Sequence, residues 1–287
     1  MCNGANYTKG SKFESSLNNV LNNLVNNINS SSNGFNTSVS GQSPDKAYAL
    51  LQCRGDATPE ECYSCSQQAK TDIRQDCGNA MGGKGWYEKC FIRYQNYSFF
   101  GILDTDKTTL YNRRNATDPA VFSKAVKGLF RNLTEEAYGS PNLYSSGSTN
   151  YDSSFHVIYG QIQCWRDVTS IEECKTCLLT AISELLYWTA DGTRLGGVCA
   201  MGSCNARYDI FPFFHPSPPP PPPLQLPNSQ PIQQPPLSPQ TPKKSSNKLA
   251  IIFGVLCGLL AMLLVCISAI RRKVILELLG KSLVPEK

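Results

Sequence analysis

Cysteine is the residue type whose number and spacing in this chain could do chemistry. There are thirteen, and eleven of them precede a single long hydrophobic run. They fall into two copies of one pattern, Cys53-x8-Cys62-x2-Cys65 and Cys164-x9-Cys174-x2-Cys177, each followed by Cys-x-x-Arg-Tyr, at Cys90 and again at Cys204. Three chemistries use Cys-x2-Cys. Zinc sites bring two such pairs within about 20 residues or add histidines. Here Cys65 and Cys174 are 109 positions apart, and the only histidines are His156 and His215. A thioredoxin-like redox pair would leave the flanking cysteines without a role. Disulfides formed outside the cytosol are the expected chemistry, with no metal and no cofactor.

No catalytic constellation accompanies them. There is no glycine-rich phosphate loop between a strand and a helix, no kinase signature, and no Ser/His/Asp trio is plausible with two histidines. Gly82, Gly83 and Gly85, and the glycines at 192–197, read as turns before the closing strands. The formal charge of +5 is mild and scattered, with no Arg/Lys stripe interleaved with aromatics, which argues against a nucleic-acid partner. The chain is expected not to be an enzyme.

The elements that must position the cysteines also repeat. Phe13, Leu17, Val20, Leu21 and Leu24 form one apolar helical stripe. Adding 109 gives Phe122, Val126, Leu129, Phe130 and Leu133, with Asp118-Pro119 as N-cap and first-turn proline of the second helix. After a Gly/Ser/Asn-rich stretch come strand-like segments at 47–54 and 155–165, second helices at 59–74 and 170–187, and closing aromatic strands at 89–100 and 203–214. Cys62 and Cys65 share one helix face, as do Cys174 and Cys177, so one cysteine of each pair can reach the strand before its helix and the other the strand after it. A repeat of this length sets domain count and topology together. The fold class is α+β: two tandem disulfide-stapled domains, at 1–105 and 106–215, each with two helices on a small antiparallel sheet.

Residues 216–242 hold 13 prolines in 27 positions, which predicts a semi-rigid polyproline stalk through 216–248. Residues 249–270 carry no charge over 22 positions, about 33 Å as a helix, enough to cross a bilayer core of ~30 Å. A tail at 271–287 follows, too short for a kinase domain. Lys243, Lys244 and Lys248 precede the span and Arg271, Arg272 and Lys273 follow it, so charge alone orients it weakly. The repeat cysteines and the six Asn-x-Ser/Thr acceptors Asn6, Asn29, Asn36, Asn96, Asn115 and Asn132 all lie on the N-terminal side, which is therefore expected outside a plasma membrane crossed once. No leader precedes Cys2, so the chain is expected to start near the mature terminus or from a truncated gene model.

The cysteine pattern, the Cys-Phe-Ile-Arg-Tyr closing strand and the opening Cys2-Asn3 resemble the ginkbilobin-homologous, or stress-antifungal, domain of plants. Two such domains, a proline-rich stalk and one span resemble the outer half of a cysteine-rich receptor-like kinase. The resemblance implies the pairs Cys2–Cys77, Cys53–Cys62 and Cys65–Cys90. In the second repeat the equivalents of Cys2 and Cys77 are Tyr111 and a position near 189–191, so one bridge is lost whole. Cys164–Cys174 and Cys177–Cys204 remain, and Cys199 is left unpaired, as a bridge between chains or a buried thiol. Cys257 and Cys266 fall inside the span and are also expected unpaired, with Cys266 close enough to the basic cluster to invite acylation.

Mannose-binding members of the family use an Asn, an Arg and a Glu. The matching positions hold Asn3, Lys84 and Gln95 in the first domain and Asn112, Val198 and Asp209 in the second. Lysine lacks the planar fork of arginine and glutamine the carboxylate charge, so sugar capture is expected to be weak. The resemblance implies an extracellular sensing or adhesion module in plant stress or defence signalling, with a cell-to-cell channel protein or a membrane-tethered lectin as alternatives. Its implied partners are the membrane, a glycan or extracellular protein ligand, and related receptors as oligomer partners.

Overall fold

The helices start where local chemistry supplies caps. The Thr58 hydroxyl accepts a hydrogen bond from the Glu61 N–H while the Glu61 carboxylate accepts one from the Thr58 N–H, with Pro59 next, so α2 (Pro59–Cys77) opens at a complete capping box. Ser170 caps α4 (Ile171–Trp188) through the Glu173 N–H, and Asp118 caps α3 (Pro119–Gly139) through the Val121 N–H, ahead of Pro119. The computed structural model describes residues 1–28, 34–152 and 156–215, all within one unit, Met1–Pro220.

The first repeat runs β1 (Cys2–Asn6), α1 (Lys12–Ile28), β2 (Phe35–Ser40), β3 (Ala47–Cys53), α2 (Pro59–Cys77), β4 (Ala80–Trp86), β5 (Cys90–Gln95). The second repeats the order with β6 (Lys107–Tyr111), α3 (Pro119–Gly139), β7 (Tyr144–Asn150), β8 (Val157–Cys164), α4 (Ile171–Trp188), β9 (Gly196–Met201), β10 (Cys204–Asp209). Each repeat forms a five-stranded antiparallel sheet, ordered β1-β4-β5-β3-β2 and β6-β9-β10-β8-β7. This is the expected α+β architecture.

Both helical stripes face their sheets: Phe13, Leu17, Val20, Leu21 and Leu24 are buried with Ile92 and Tyr94, and Phe122, Val126, Leu129, Phe130 and Leu133 with Ile162 and Tyr208. Each large side chain so buried is worth about 1.5–3 kcal/mol. Disulfides then fasten α2 and α4 to the middle of the sheets. Cys62 bonds Cys53 and Cys65 bonds Cys90, and Cys53 and Cys90 are direct cross-strand partners. Cys174–Cys164 and Cys177–Cys204 repeat this, again on opposed residues. Cys2–Cys77 adds a third bridge in the first repeat, from the edge strand to the end of α2.

Two expectations need correction. Gly82, Gly83 and Gly85 lie in β4, and Gly196 and Gly197 in β9; only Gly192 sits in a turn. These glycines are needed for space: a Cβ on Gly82 would stand 2.1 Å from both Asn3 Oδ1 and Gln95 Oε1, and one on Gly83 2.7 Å from the Tyr94 ring. The Gly/Ser/Asn-rich stretches between helix and strand supply the edge strands β2 and β7, whose composition resembles a loop because one side faces water. The closing strands also stop earlier than expected, at Gln95 and Asp209.

Among the described residues no helix is long and apolar enough to cross a membrane. The expected stalk at 216–248, span at 249–270 with Cys257 and Cys266, tail at 271–287, and Asn29 lie outside the described residues.

Candidate functional site

The three positions matched to sugar binding share the outer face of the first sheet. Asn3 on β1 opposes Gly82 on β4, and Lys84, two residues along β4, opposes Arg93 on β5. The geometry engages all three internally. Gln95 Nε2 donates to Asn3 Oδ1 at 3.0 Å. Lys84 is only 3% exposed, and its Nζ donates to Asp104 at 2.6 Å and Asp106 at 3.0 Å. Arg93 joins the cluster, with Nη2 3.1 Å from Asp104 and its guanidinium 4.1 Å above the Phe99 ring. The hydrogen bond from Lys84 holds the Asp106 carboxyl below its usual range. Asp104 and Asp106 belong to the segment joining the repeats, so Lys84 is the centre of an interdomain latch, and its donors are not free for a sugar. In the second repeat Val198 offers no donor at all.

A second arrangement, invisible as a motif, crosses between the sheets. Gln52 Nε2 donates to the carbonyl of Cys164 at 3.2 Å, and its Oε1 accepts from the Arg166 N–H at 2.7 Å. Gln163 mirrors it: Nε2 donates to the carbonyl of Cys53 at 3.2 Å, and Oε1 accepts from the Gly55 N–H at 3.3 Å. Each glutamine precedes the strand cysteine of its own repeat and reads the backbone of the other. Both are 1% exposed. The contact is self-complementary, like that of a twofold dimer, but within one chain. Around it Phe91 stacks on Trp165 with centroids 4.6 Å apart, Arg166 lies 4.9 Å over Phe35, and Tyr144 packs against Gly55, where a Cβ would stand 2.3 Å from the ring. Gln-Cys recurs at 52–53 and 163–164, but the dipeptide alone does not say which backbone each amide reaches.

The end of the described chain straps the two repeats together. The Phe213 carbonyl accepts from Arg54, its ring carries the Arg207 guanidinium at 3.9 Å, and the His215 N–H donates to Asp56 at 2.9 Å. Beside the strap is a cleft of about 250 Å³ walled by Trp86, Glu88, Leu110, Gln161, Val198 and Arg207. Its polar groups pair with one another: Arg207 with both Glu88 oxygens at 2.8 and 2.9 Å, Gln161 with Asn205 at 2.8 Å. Half-buried Asp167 lies near Arg93, and its partial burial pushes its carboxyl up to about 6.

Where the second repeat lacks the Cys2–Cys77 bridge, Tyr111 stacks on Trp188 at 6.1 Å, and Thr189 is fully buried at the helix end. Cys199 is 0% exposed on β9 and has no disulfide partner among the described residues. Its thiol is pushed up by burial, partly offset by interaction with the Thr109 hydroxyl. A bridge between chains would require the second core to open, so the buried thiol is the reading that fits. No group of three metal-ligating side chains occurs among the described residues. Asn6, Asn96, Asn115 and Asn132 are exposed and Asn36 half-buried.

Comparison with known proteins sets this geometry in context. The family model Stress-antifung, described as salt stress response/antifungal, matches residues 1–97 and again 108–210. An antimicrobial ginkbilobin-2-like protein of Castanea crenata is 38% identical over 208 residues, 72% of this chain and 84% of that protein. Cysteine-rich repeat secretory protein 38 of Arabidopsis thaliana is 38% identical over 210 residues, 72% of this chain and 81% of its own length. Cysteine-rich receptor-like protein kinase 8 of the same plant is 28% identical over 91% of this chain, which spans 38% of the kinase. The crystal structure of the tandem DUF26 ectodomain of the Arabidopsis thaliana cysteine-rich receptor-like protein PDLP5 matches with a TM-score of 0.61 at 25% identity, covering 73% of this chain and 96% of that one.

Proposed function

Because the chain belongs to the salt stress response/antifungal family, with the family domain present in two tandem copies, we propose that it is the extracellular sensing or adhesion module of a cysteine-rich receptor-like membrane protein acting in plant stress or defence. The observation that carries this reading is the reciprocal glutamine contact. Buried amide pairs with every partner satisfied hold the two repeats at a fixed angle, so the module presents one composite surface. A rigid surface of this kind suits recognition, because little ordering entropy opposes a ligand. The proposed role is non-enzymatic, with the uncharged run at 249–270 as anchor. A mannose-reading role finds no support in the first domain, where Asp104 and Asp106 hold Lys84.

The test is topology and place together. The full chain, tagged at its C-terminus, is expressed in plant leaf cells; intact cells are labelled with a membrane-impermeant amine reagent and imaged. Labelled protein retained at the cell surface is the expected result. Concentration in wall-crossing puncta would move the assignment to a cell-to-cell channel protein. Protein found wholly in the medium or wholly unlabelled would refute the membrane-anchored ectodomain.

A further inference from the structure

We propose that Asn115 carries an N-linked glycan whose first sugars dock on the Tyr111–Trp188 aromatic row, at the place where the first repeat has a disulfide instead. The inference rests on the extracellular reading above and adds a specific modification site to it.

The strand registers align Tyr111 with Cys2: Cys2 opposes Gly83 and Tyr111 opposes Gly197, one residue of the same glycine pair in each repeat. In the first repeat that position is covalently closed onto α2. In the second it is closed by rings alone, with Tyr187 edge-on to Trp188 at 5.5 Å. These rings stay in solvent: Tyr111 is 36% exposed, Trp188 45% and Tyr187 76%. A cluster of this kind on a soluble surface marks a place that something covers.

The sequon Asn115-Ala116-Thr117 supplies the cover. Asn115 forms an isolated antiparallel bridge with Arg194, flanked by hydrogen bonds from Ala116 N to the Thr193 carbonyl at 2.9 Å and from Leu195 N to the Arg114 carbonyl at 3.0 Å. Directly opposed residues in such a bridge send their side chains to the same side, with Cβ atoms about 5 Å apart. The Arg194 guanidinium in turn lies 4.7 Å over the Tyr111 ring. A sugar rooted on Asn115 Nδ2 therefore starts beside a row of guanidinium, tyrosine and tryptophan. The apolar C–H face of a pyranose and the methyl of an N-acetyl group suit such rings, and the guanidinium suits the hydroxyls.

The other sequons with structured surroundings are placed differently. The Asn36 amide donates to the carbonyls of Asn23 and Leu24. Asn132 lies within α3, and its Thr134 hydroxyl is buried and donates to the Phe130 carbonyl. Asn115 and Thr117 are both exposed, outside any helix or long strand. The transfer itself joins Asn115 Nδ2 to C1 of an oligosaccharide carried on a lipid diphosphate. The C1–O bond breaks, the lipid diphosphate leaves, and the amide nitrogen gives up one proton.

The test uses the full chain, made in plant cells under a mannosidase inhibitor so that every glycan stays oligomannose, and purified in mild detergent. The native protein is digested with endoglycosidase H, and each site is followed by glycopeptide mass spectrometry. The glycan on Asn115 should be cut about five-fold more slowly than those on Asn6 and Asn96, the factor expected of one aromatic contact. Trp188→Ala should erase the difference and Trp188→Phe should keep it, with both variants melting like the parent outside the sugar effect. An Asn115 left bare while Asn6 or Asn96 is filled overturns the proposal, as does equal cutting at all sites or a Trp188→Ala variant that cuts like the parent. Bare asparagines at every sequon would instead refute the extracellular reading, and this inference with it.

Discussion

Replacing Asp167 by asparagine should make the protein more stable at neutral and alkaline pH and leave it unchanged in acid. Asp167 follows β8 and faces Arg93, Asp104 and Glu173; burial is the largest cause of its shift, and attraction from Arg93 only partly offsets it. Its carboxyl moves from 3.8 to about 6, and its Oδ1 is buried without a hydrogen-bond partner among the described residues. A raised carboxylate pKa means that the folded state holds the proton more tightly than the unfolded one. The penalty is therefore absent below the unfolded value, grows as pH rises between 3.8 and about 6, and is complete above that. Two pKa units correspond to about 3 kcal/mol as a ceiling; relaxation of a half-buried site leaves about 1–2 kcal/mol. For a folded region of this size that is about 3–6 °C in Tm. Thermal melts of the parent and Asp167→Asn at about pH 8 and about pH 4 should thus show the gain only at the higher pH. A loss of stability at pH 8, or the same difference at both pH values, would refute the argument.

Other perturbations test the latch, the interface and the free thiol. Lys84→Met leaves Asp104 with Arg93 and the Asp106 N–H and leaves the Asp106 carboxylate with water, so it should cost about 2 kcal/mol, below the usual range for a broken buried pair, read as a lower urea midpoint. An unchanged midpoint would mean the latch contributes nothing. Gly55→Ala places a methyl 2.3 Å from the Tyr144 ring and should destabilise by about 1–3 kcal/mol; combining it with Tyr144→Ala should cost less than the sum of the two single changes, and strict additivity would count against the contact. Cys199, fully buried, should be inert to a maleimide in the native protein and react once it is unfolded in guanidinium, and the protein should run as a monomer without reductant. Labelling of the native protein at Cys199, or a dimer lost in Cys199→Ser, would contradict its burial.

Much of the fold was legible because it rests on local periodicity and covalent type. The stripes from Phe13 and Phe122, the capped starts of α2, α3 and α4, and the central strands β3, β5, β8 and β10 each carry their own signal within a dozen residues. The doubled cysteine motif set the repeat, hence the domain count, the α+β class and the family. The edge strands β2 and β7 and the glycine strand β4 were hidden. A strand with one wet face, or one chosen for the absence of a Cβ, resembles a loop in composition alone. The site was less legible still. Nothing in the sequence tells that Asp104 and Asp106 return to Lys84, that Arg93 lies against Phe99, or that Gln52 and Gln163 each hydrogen-bond the backbone of the other repeat. Those facts depend on where two sheets come to rest against each other. A side chain at the sugar-reading position can be a ligand or a latch with the same neighbours in sequence; only the tertiary structure, by burying Lys84 between carboxylates 20 and 22 residues away, decided which.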